Sequence, residues 1–289
     1  MLMNQYEIIS MMIEARDNGS STLSLLGQEL EVLPPEIGQL TSLIELDLGL
    51  NELTELPPEI GHLTNLTNLK VDRNRLKTLP PEIGRLRNLT HLNAGANDLA
   101  ELPPEIGNLT NLINLQLGHS RMSHRRNQLT RLPPEIGNMA SLTWLNLYRN
   151  YLNELPVEIG NLTNLKFLNL DDNRLTELPS TIGKLANLSI LDVTNNELTE
   201  LPPEIGDLTG LNELLLGGNR LTWLPAELGN LNDLAELFLE DNRLKELPSE
   251  LERLTGLSIL YLFGNELGRS DFDFSCLANL THVLIETPR

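Results

Sequence analysis

The chain has 289 residues, of which 21 are Lys or Arg and 40 are Asp or Glu, and its formal net charge is −19. This acidic balance excludes nucleic acid and anionic membranes as main partners, because contacts with phosphate groups need clustered cations. The single cysteine, Cys276, excludes an intrachain disulfide, and no segment approaches the roughly 20 apolar residues that a membrane-spanning helix needs.

The first predicted element is an amphipathic helix over residues 4–17, which Asn18 and Gly19 close. Its apolar side is formed by Ile8, Ile9, Met12 and Ile13. We assign residues 1–19 as an N-terminal helical cap, because a fold built from repeats exposes its core at both ends. The segment contains no basic region and no apolar stretch long enough for export, so we expect a cytoplasmic protein.

From residue 20 onward the chain repeats a single frame, Leu-x-x-Leu-x-Leu-x-x-Asn-x-Leu. One copy of this frame starts at Leu43 and the next starts at Leu66. Twelve frames begin at residues 20, 43, 66, 89, 112, 142, 165, 188, 211, 234, 257 and 280. Ten of the intervals are 23 residues long and one is 30. Each Leu-x-x-Leu-x-Leu stretch predicts a short strand whose leucines point inward while the residues between them face solvent. Parallel stacking of these strands buries a leucine ladder that no single frame can bury alone.

The segments between the strands predict turns and a crossover arm. An asparagine follows the strand in ten frames, from Asn51 to Asn265, and we expect its amide to satisfy backbone groups of the turn. The segment Leu-Pro-Pro-Glu-Ile-Gly, first seen at residues 33–38, predicts an irregular or short-helical arm. Proline needs no ladder hydrogen bond there, and we expect the glycine to adopt a turn conformation closed to other residues.

The unit L-x-x-L-x-L-x-x-N-x-L-x-x-L-P-P-E-I-G-x-L-T-N resembles the 23-residue repeats of intracellular Ras-group leucine-rich-repeat proteins. It also resembles the repeat arrays of Scribble/Erbin-type scaffolds and of bacterial Roco proteins. The resemblance covers residues 20–285 and implies an α/β repeat solenoid: a leucine-rich-repeat horseshoe with a parallel concave sheet and an irregular or short-helical convex arm. We place the regular solenoid at residues 20–266. Residues 267–289 are a degenerate last repeat and C-terminal cap, in which Phe272 and Phe274 plug the last core layer.

One interruption, a seven-residue excess near 118–126, falls between a strand and its asparagine turn and is basic on an otherwise acidic chain. It has two interpretations. A surface insertion is tolerated because added loop length costs little free energy. Alternatively, the loop is a contact arm for an acidic partner.

The solvent-facing strand positions are informative about function, because the fold does not dictate which residues occupy them. Six of the eleven aromatic residues fall at these positions, and large apolar groups facing water are typical of binding sites. We predict a partner-binding surface formed by Trp144, Tyr148, Arg149, Phe167, Asp171, Asp192, Glu213, Phe238, Tyr261 and Phe263. The alternative is that the aromatic side chains pack on one another across adjacent strands and stabilise the sheet.

The sequence contains no phosphate-binding G-x-x-x-x-G-K-[ST] motif, its five histidines lack metal-ligand spacing, and Cys276 has no histidine nearby in sequence. We therefore predict no catalytic residue, no cofactor and no metal.

The preferred function is a non-enzymatic protein–protein interaction scaffold or adaptor that binds a protein partner on its concave face. The resemblance implies a small GTPase or a signalling phosphatase as that partner. The alternative is a secreted or surface recognition protein, a bacterial effector or adhesin, that binds host protein or glycan. The oligomeric state stays open.

Overall fold

The computed structural model of the chain describes residues 5–118, 125–268 and 274–284. In these ranges a single α-helix, α1 (Gln5–Asp17), precedes twelve strands of three residues each. The strands are β1 (Thr22–Ser24), β2 (Glu45–Asp47), β3 (Asn68–Lys70), β4 (His91–Asn93), β5 (Asn114–Gln116), β6 (Trp144–Asn146), β7 (Phe167–Asn169), β8 (Ile190–Asp192), β9 (Glu213–Leu215), β10 (Glu236–Phe238), β11 (Ile259–Tyr261) and β12 (His282–Leu284). The chain divides into two compact units, Met1–Leu145 and Asn146–Arg289, with the boundary inside β6.

Each unit is a stack of parallel strands in chain order. In the first unit, β1 to β5 pair successively, and each residue lies opposite the one 23 positions later, as Leu46 does with Leu69. In the second unit, β7 to β12 pair in the same way, with Leu214 opposite Leu237. Because each crossover between parallel strands is one repeat of constant length, the repeat length fixes the register. The predicted repeat solenoid with parallel strands is confirmed in each unit.

The crossover arms contain short 3-10 helices, which confirms the short-helical form of the prediction. In ten repeats the arm has a five-residue 3-10 helix: Pro35–Gln39, Pro58–His62, Pro81–Arg85, Pro104–Asn108, Pro134–Asn138, Val157–Asn161, Ser180–Lys184, Pro203–Asp207, Ala226–Asn230 and Ser249–Arg253. A three-residue turn, Phe274–Cys276, follows near the end. In the first arm, Pro34 has a φ of −63°, and its carbonyl accepts the Ile37 N–H at 3.1 Å. Proline suits this position because its φ is already fixed at the required value.

The turn conformation expected for the arm glycines is wrong. Gly84 and its equivalents Gly61 and Gly206 do not have a left-handed φ. A Cβ added at Gly84 would lie 2.5 Å from the carbonyl oxygen of Glu105 in the next repeat. Glycine is needed here because the arms of successive repeats approach each other too closely to admit a side chain.

The interior of each unit is the leucine ladder that the frame predicts. Leu43, Leu46 and Leu48 of one repeat are at most 1% exposed, and the equivalent residues of the other regular repeats are likewise buried. Fully burying one such side chain contributes about 1.5–3 kcal/mol to the free energy of unfolding. The side chains between the leucines are therefore the ones that the protein presents to solvent.

The asparagine column connects each repeat to the preceding one. The Nδ2 of Asn74 donates to the Leu48 carbonyl at 2.9 Å, and its Oδ1 accepts the Leu53 N–H at 3.0 Å. The same Nδ2 lies 3.1 Å from the carbonyl oxygen of Val71 in its own turn. The prediction that this amide satisfies turn backbone is confirmed, and the structure adds that it also bridges two repeats.

The residue before the asparagine adopts a left-handed backbone at nine of the ten column positions, Asn127 being the exception, and seven of these nine residues are not glycine. Leu50, Arg73 and Arg149 have φ values of 56°, 55° and 55°. This conformation disfavours side chains with a Cβ, so the fixed turn around the buried asparagine must compensate for the strain.

The N-terminal helix α1 covers the first repeat, but its buried side differs from the prediction. Ile8 and Met12 are at most 2% exposed and Ala15 is 8% exposed, whereas Ile13 is 44% exposed. The helix ends as predicted, because Gly19 has a φ of 59° and the N–H of the next residue donates to the Ala15 carbonyl. The plug predicted for Phe272 and Phe274 falls on side chains outside the described residues.

Candidate partner-binding surface

The strands β7 to β11 of the second unit present one solvent-facing surface, because their first and third residues point away from the leucine core. The middle residue of each strand is at most 1% exposed. We call this surface the strand face. It consists of Phe167, Asn169, Ile190, Asp192, Glu213, Leu215, Glu236, Phe238, Ile259 and Tyr261, together with Glu240 and Phe263, which lie two residues beyond their strands.

An aromatic cluster occupies one end of the strand face. Phe238 on β10 lies opposite Tyr261 on β11, with ring centroids 5.0 Å apart and an interplanar angle of 86°. The Tyr261 ring lies 6.2 Å from that of Phe263 and is tilted by 48°. All three side chains are half-buried. The aromatic residues therefore both pack on one another, as the alternative interpretation predicts, and remain accessible to a partner.

The apolar surface extends beyond the aromatic rings along one row of register positions. Leu215 lies opposite Phe238, and Tyr261 lies opposite Leu284 on β12. Neighbouring strands are about 4.8 Å apart, so these side chains form a continuous row across four strands. We call this the apolar row.

Carboxylates lie on both sides of the apolar row. Glu213 and Glu236 are opposite each other on β9 and β10. Burial and the nearby charge of Glu236 raise the pKa of Glu213. Across the row, burial raises the pKa of Glu240, and the neighbouring charges of Asp241 and Asp192 add to this effect. The side chain of Glu240 lies over Gly217, where an added Cβ would meet it.

None of the strand-face positions carries a lysine or arginine, and two basic residues that lie beside β7 are Arg149 and Lys166. Arg149 pairs with Asp172 at 3.2 Å, so its charge is already matched within the chain. Lys166, which precedes β7, is exposed. The carboxylates around the aromatic cluster therefore repel one another, and no lysine or arginine at a strand-face position offsets that repulsion.

The structure groups some of the predicted site residues and separates others. Glu213, Phe238, Tyr261 and Phe263 lie together, and Asp192 lies opposite Leu215 on the neighbouring strand. Phe167 is also on the strand face, but it is three strands from Phe238, a separation of about 14 Å at the usual spacing.

The remaining predicted residues lie off this cluster. Trp144 belongs to the first unit, where it is 38% exposed on β6. Tyr148 and Arg149 are in the turn after β6. Asp171 is 7% exposed, and its Oδ1 accepts a hydrogen bond from Asn195 at 2.9 Å. The strand face is therefore defined without Asp171.

Of the basic insertion, residues 119–124 lie outside the described residues. The described end of the insertion folds back onto the chain, because Arg125 lies 3.3 Å from Asp98 and 3.9 Å from Glu52. Glu52 and Asp98 each follow an asparagine of the column. Arg75 occupies the same position in the repeat between them and pairs with Glu52. At least one charge of the insertion thus belongs to an ion-pair row of its own unit.

Sequence reasoning missed a groove in the first unit. The groove has a volume of about 800 Å³ and runs beside the residues that precede the strands. It is lined by Ile44, Thr67, Thr90 and Ile113 on one side and by Ser42, Asn65, Asn88, Asn111 and Ser141 on the other. These asparagines form a second column, in which Asn65 donates to the Thr41 carbonyl at 2.8 Å. The signal was present as a 23-residue spacing of polar residues immediately before each frame.

The described residues contain no grouping of three His, Cys, Asp or Glu side chains that fits a metal ion. None of the described helices combines the length and apolar character needed to cross a bilayer.

Exposed aromatic residues also occur off the strand face: Tyr6 on α1 is 87% exposed and Trp223 is 44% exposed. These two provide natural controls for experiments on the aromatic cluster.

Sequence comparison identifies the repeats. Residues 157–284 match the family described as "Leucine-rich repeat region", and residues 125–175 match the family described as "Leucine rich repeat". None of the curated protein sequences matches the chain.

Comparison with solved structures finds similar repeat domains in receptors. The chain is similar to a TDR receptor, with 31% identity, coverage of 89% of this chain and 46% of that chain, and a TM-score of 0.78. It is similar to the plant peptide hormone receptor RGFR1 in complex with RGF2, with 29% identity, coverage of 92% and 52%, and a TM-score of 0.69. It is also similar to the Arabidopsis receptor kinase HAESA in complex with the peptide hormone IDA and the co-receptor SERK1, with 28% identity, coverage of 86% and 47%, and a TM-score of 0.68.

The chain spans about half the length of each of these three solved chains. The two sequence matches together extend over more than half of the chain's 289 residues. Because these matches agree with the stacked repeats seen in both units, residues 125–284 are leucine-rich repeats and the chain has the leucine-rich-repeat fold.

Proposed function

We propose that this chain is a non-enzymatic protein-interaction scaffold or adaptor that binds a protein partner through the strand face. The observation that carries the proposal is the cluster of Phe238, Tyr261 and Phe263, three large apolar side chains that remain partly open to water. Binding hot spots are enriched in aromatic residues near the centre of a patch with a polar rim. Phe238 and Tyr261 lie on short strands of the sheet and pack on each other, so little conformational entropy is lost when they bind a partner.

The comparisons support a binding role at a coarser level. RGFR1 was solved with RGF2 and HAESA with the peptide hormone IDA, so two similar repeat domains occur in complexes with ligands. Leucine-rich-repeat arrays serve many tasks, and the fold alone does not select one partner. Binding of a protein or peptide is therefore proposed for this chain from its own surface, with the relatives as support.

We further propose a cytoplasmic location, with a small GTPase or a signalling phosphatase as the partner class. The support is the lone Cys276 and the resemblance of the repeat unit to the intracellular Ras-group proteins. The likeness to a peptide hormone receptor and to a receptor kinase solved with a peptide hormone supports the second candidate, a secreted or surface recognition protein. Fractionation of the native cell and its medium separates the two, since only the second predicts the chain outside the cell.

Affinity capture from native lysate tests the binding role. The bait is the wild-type chain, a triple variant with Phe238→Ala, Tyr261→Ala and Phe263→Ala, and a control with Tyr6→Ala and Trp223→Ala. Truncating a hot spot costs about 2 kcal/mol or more, which is roughly a thirtyfold loss of affinity. The triple variant should lose the specific partner while the control keeps it. Recovery of every specific partner by a folded triple variant would overturn the proposal.

A further inference from the structure

The strand face combines two properties that together restrict the partner. Its centre is formed by Leu215, Phe238 and Tyr261 of the apolar row, and carboxylates lie on both sides of that row. Glu213 and Glu236 form one side, and Glu240 lies on the other. An occupant of the row therefore has its own flanking groups within reach of negative charge on both sides.

The carboxylates are not matched by cations at the strand-face positions. Paired charges occur elsewhere in the second unit, where Arg149 pairs with Asp172 and Arg220 pairs with Glu197 at 3.0 Å. By contrast, the strand-face carboxylates have one another as neighbours. Their mutual repulsion, which contributes to the raised pKa values of Glu213 and Glu240, would be relieved by a partner that brings positive charge.

The first unit provides an internal comparison. There the equivalent positions carry polar residues such as Asn68, Asn93 and Gln116, and the lysine Lys70 lies 3.7 Å from Asp47. That face lacks the apolar row, and its carboxylates Asp47 and Asp72 have the positive charge of Lys70 nearby. The combination is therefore particular to the second unit and does not follow from the repeat itself.

We infer that the occupant of the strand face is a cationic protein segment in which Lys or Arg side chains flank apolar ones. The apolar side chains pack on Leu215, Phe238 and Tyr261, and the basic ones reach Glu213, Glu236 and Glu240. This inference rests on the proposed function and specifies the chemistry of the partner. Nucleic acid and anionic lipid are disfavoured by the same charges, since both present phosphate.

Defined peptides test the inference directly by fluorescence anisotropy. The probe is a synthetic peptide in which Lys alternates with Leu, and two comparison peptides replace either every Lys with Glu or every Leu with Gly. The wild-type chain should bind the Lys/Leu peptide and not the Glu/Leu peptide. The Lys/Gly peptide should bind about tenfold more weakly, because it keeps the charge and lacks the apolar side chains. Absence of Lys/Leu binding, or equal binding of the Lys/Gly peptide, would overturn the inference.

Matched variants separate the strand face from the general acidity of the chain. One variant combines Glu213→Gln, Glu236→Gln and Glu240→Gln. Its control combines Glu154→Gln, Glu177→Gln and Glu200→Gln, three exposed residues of the second unit that are outside the strand face. Both variants remove three negative charges from the same formal net charge of −19.

The strand-face variant should bind the Lys/Leu peptide about tenfold more weakly and the control less than about twofold more weakly. Raising the salt concentration from about 0.05 M to about 0.3 M should lower the affinity of the wild type for the Lys/Leu peptide more than it lowers that of the strand-face variant. Equal losses in the two variants would show that attraction to the whole acidic chain explains binding, and the inference would fail.

A charge-reversed variant, Glu213→Lys with Glu236→Lys, guards against a variant that merely loses structure. It should exchange its preference and bind the Glu/Leu peptide more tightly than the Lys/Leu peptide. Wild-type preference in a folded charge-reversed variant contradicts the inference. If a native partner is lost by the aromatic triple variant but retained by the neutralised variant, the proposed function survives and the inference does not.

Discussion

The ring of Phe238 meets the ring of Tyr261 edge-on, with centroids 5.0 Å apart and an interplanar angle of 86°. The two residues are 23 positions apart, so the repeat length places them opposite each other on adjacent strands. Each ring is half-buried, which leaves part of its surface for a partner. The pair therefore contributes both to the stability of the sheet and to the proposed binding surface.

This geometry predicts a measurable coupling. In a double-mutant cycle with Phe238→Leu and Tyr261→Leu, the two substitutions should couple by about 0.5–1.5 kcal/mol in the free energy of unfolding. Leucine keeps apolar area but loses the edge-to-face contact. Denaturant unfolding of the four proteins gives the coupling energy. Additive effects within experimental error would mean that the ring contact adds nothing to stability.

The asparagine column should be a major source of stability. Asn74→Ala removes the acceptor of the Leu53 N–H and the donor to the Leu48 carbonyl, both buried. The loss should cost about 2–4 kcal/mol, since several buried backbone groups are left without partners. Asn65→Ala is the control, because its bond to the Thr41 carbonyl is exposed and water can replace it. A smaller loss for Asn74→Ala than for Asn65→Ala would contradict this role.

Close approach of the arms predicts a different effect at the arm glycines. Gly84→Ala places a methyl group 2.5 Å from the Glu105 carbonyl oxygen, so the two arms must separate. The change should lower the free energy of unfolding by about 1–3 kcal/mol. Gly268→Ala is the control, because a Cβ there meets nothing within 4 Å. Thermal unfolding should show a lower midpoint for Gly84→Ala only, and similar midpoints for both variants would argue against the steric explanation.

The raised pKa of Glu240 predicts a pH dependence of stability. The pKa of this carboxyl is higher in the folded protein than its usual 4.5, so the group ionises more easily in the unfolded chain. The free energy of unfolding therefore falls as the pH rises from 4.5 through the raised pKa. Glu240→Gln should therefore stabilise the protein at neutral pH, and its advantage should shrink as the pH falls toward 4.5 and disappear below that value. Glu200→Gln, at an exposed position, serves as the control in thermal unfolding across pH. A constant advantage at all pH values would exclude ionisation as the cause.

The fold was predictable because a single pattern determines it. The leucine spacing identifies the strands, and the constant 23-residue interval identifies their neighbours. The conformation of individual turn residues was not predictable in the same way. Leu50 and Arg149 adopt a left-handed backbone that their own side chains disfavour, because the hydrogen bonds of the following asparagine fix the turn. The arm glycines were misread, since spacing alone does not distinguish a special φ from close approach by the next repeat.

The candidate surface was predictable in position but not in grouping. The period of two along each strand correctly placed Phe238 and Tyr261 on the solvent side. The same reasoning included Asp171, yet that residue is buried and its carboxylate accepts a hydrogen bond from Asn195 of the next repeat. The apolar contribution of Leu215 was also missed, since a leucine at a solvent-facing position looks like a core residue in the sequence. Side-chain contacts between repeats decide these cases, and the repeat pattern does not encode them.

Oxidative footprinting of the chain in complex with its captured partner tests the account most directly. The method compares how fast each aromatic side chain is oxidised in the free and the bound protein. We predict that Phe238, Tyr261 and Phe263 become protected on binding, while Tyr6 and Trp223 react at unchanged rates. Protection of Tyr6 or Trp223 with unchanged oxidation of the three strand-face rings would contradict the strand face as the binding surface.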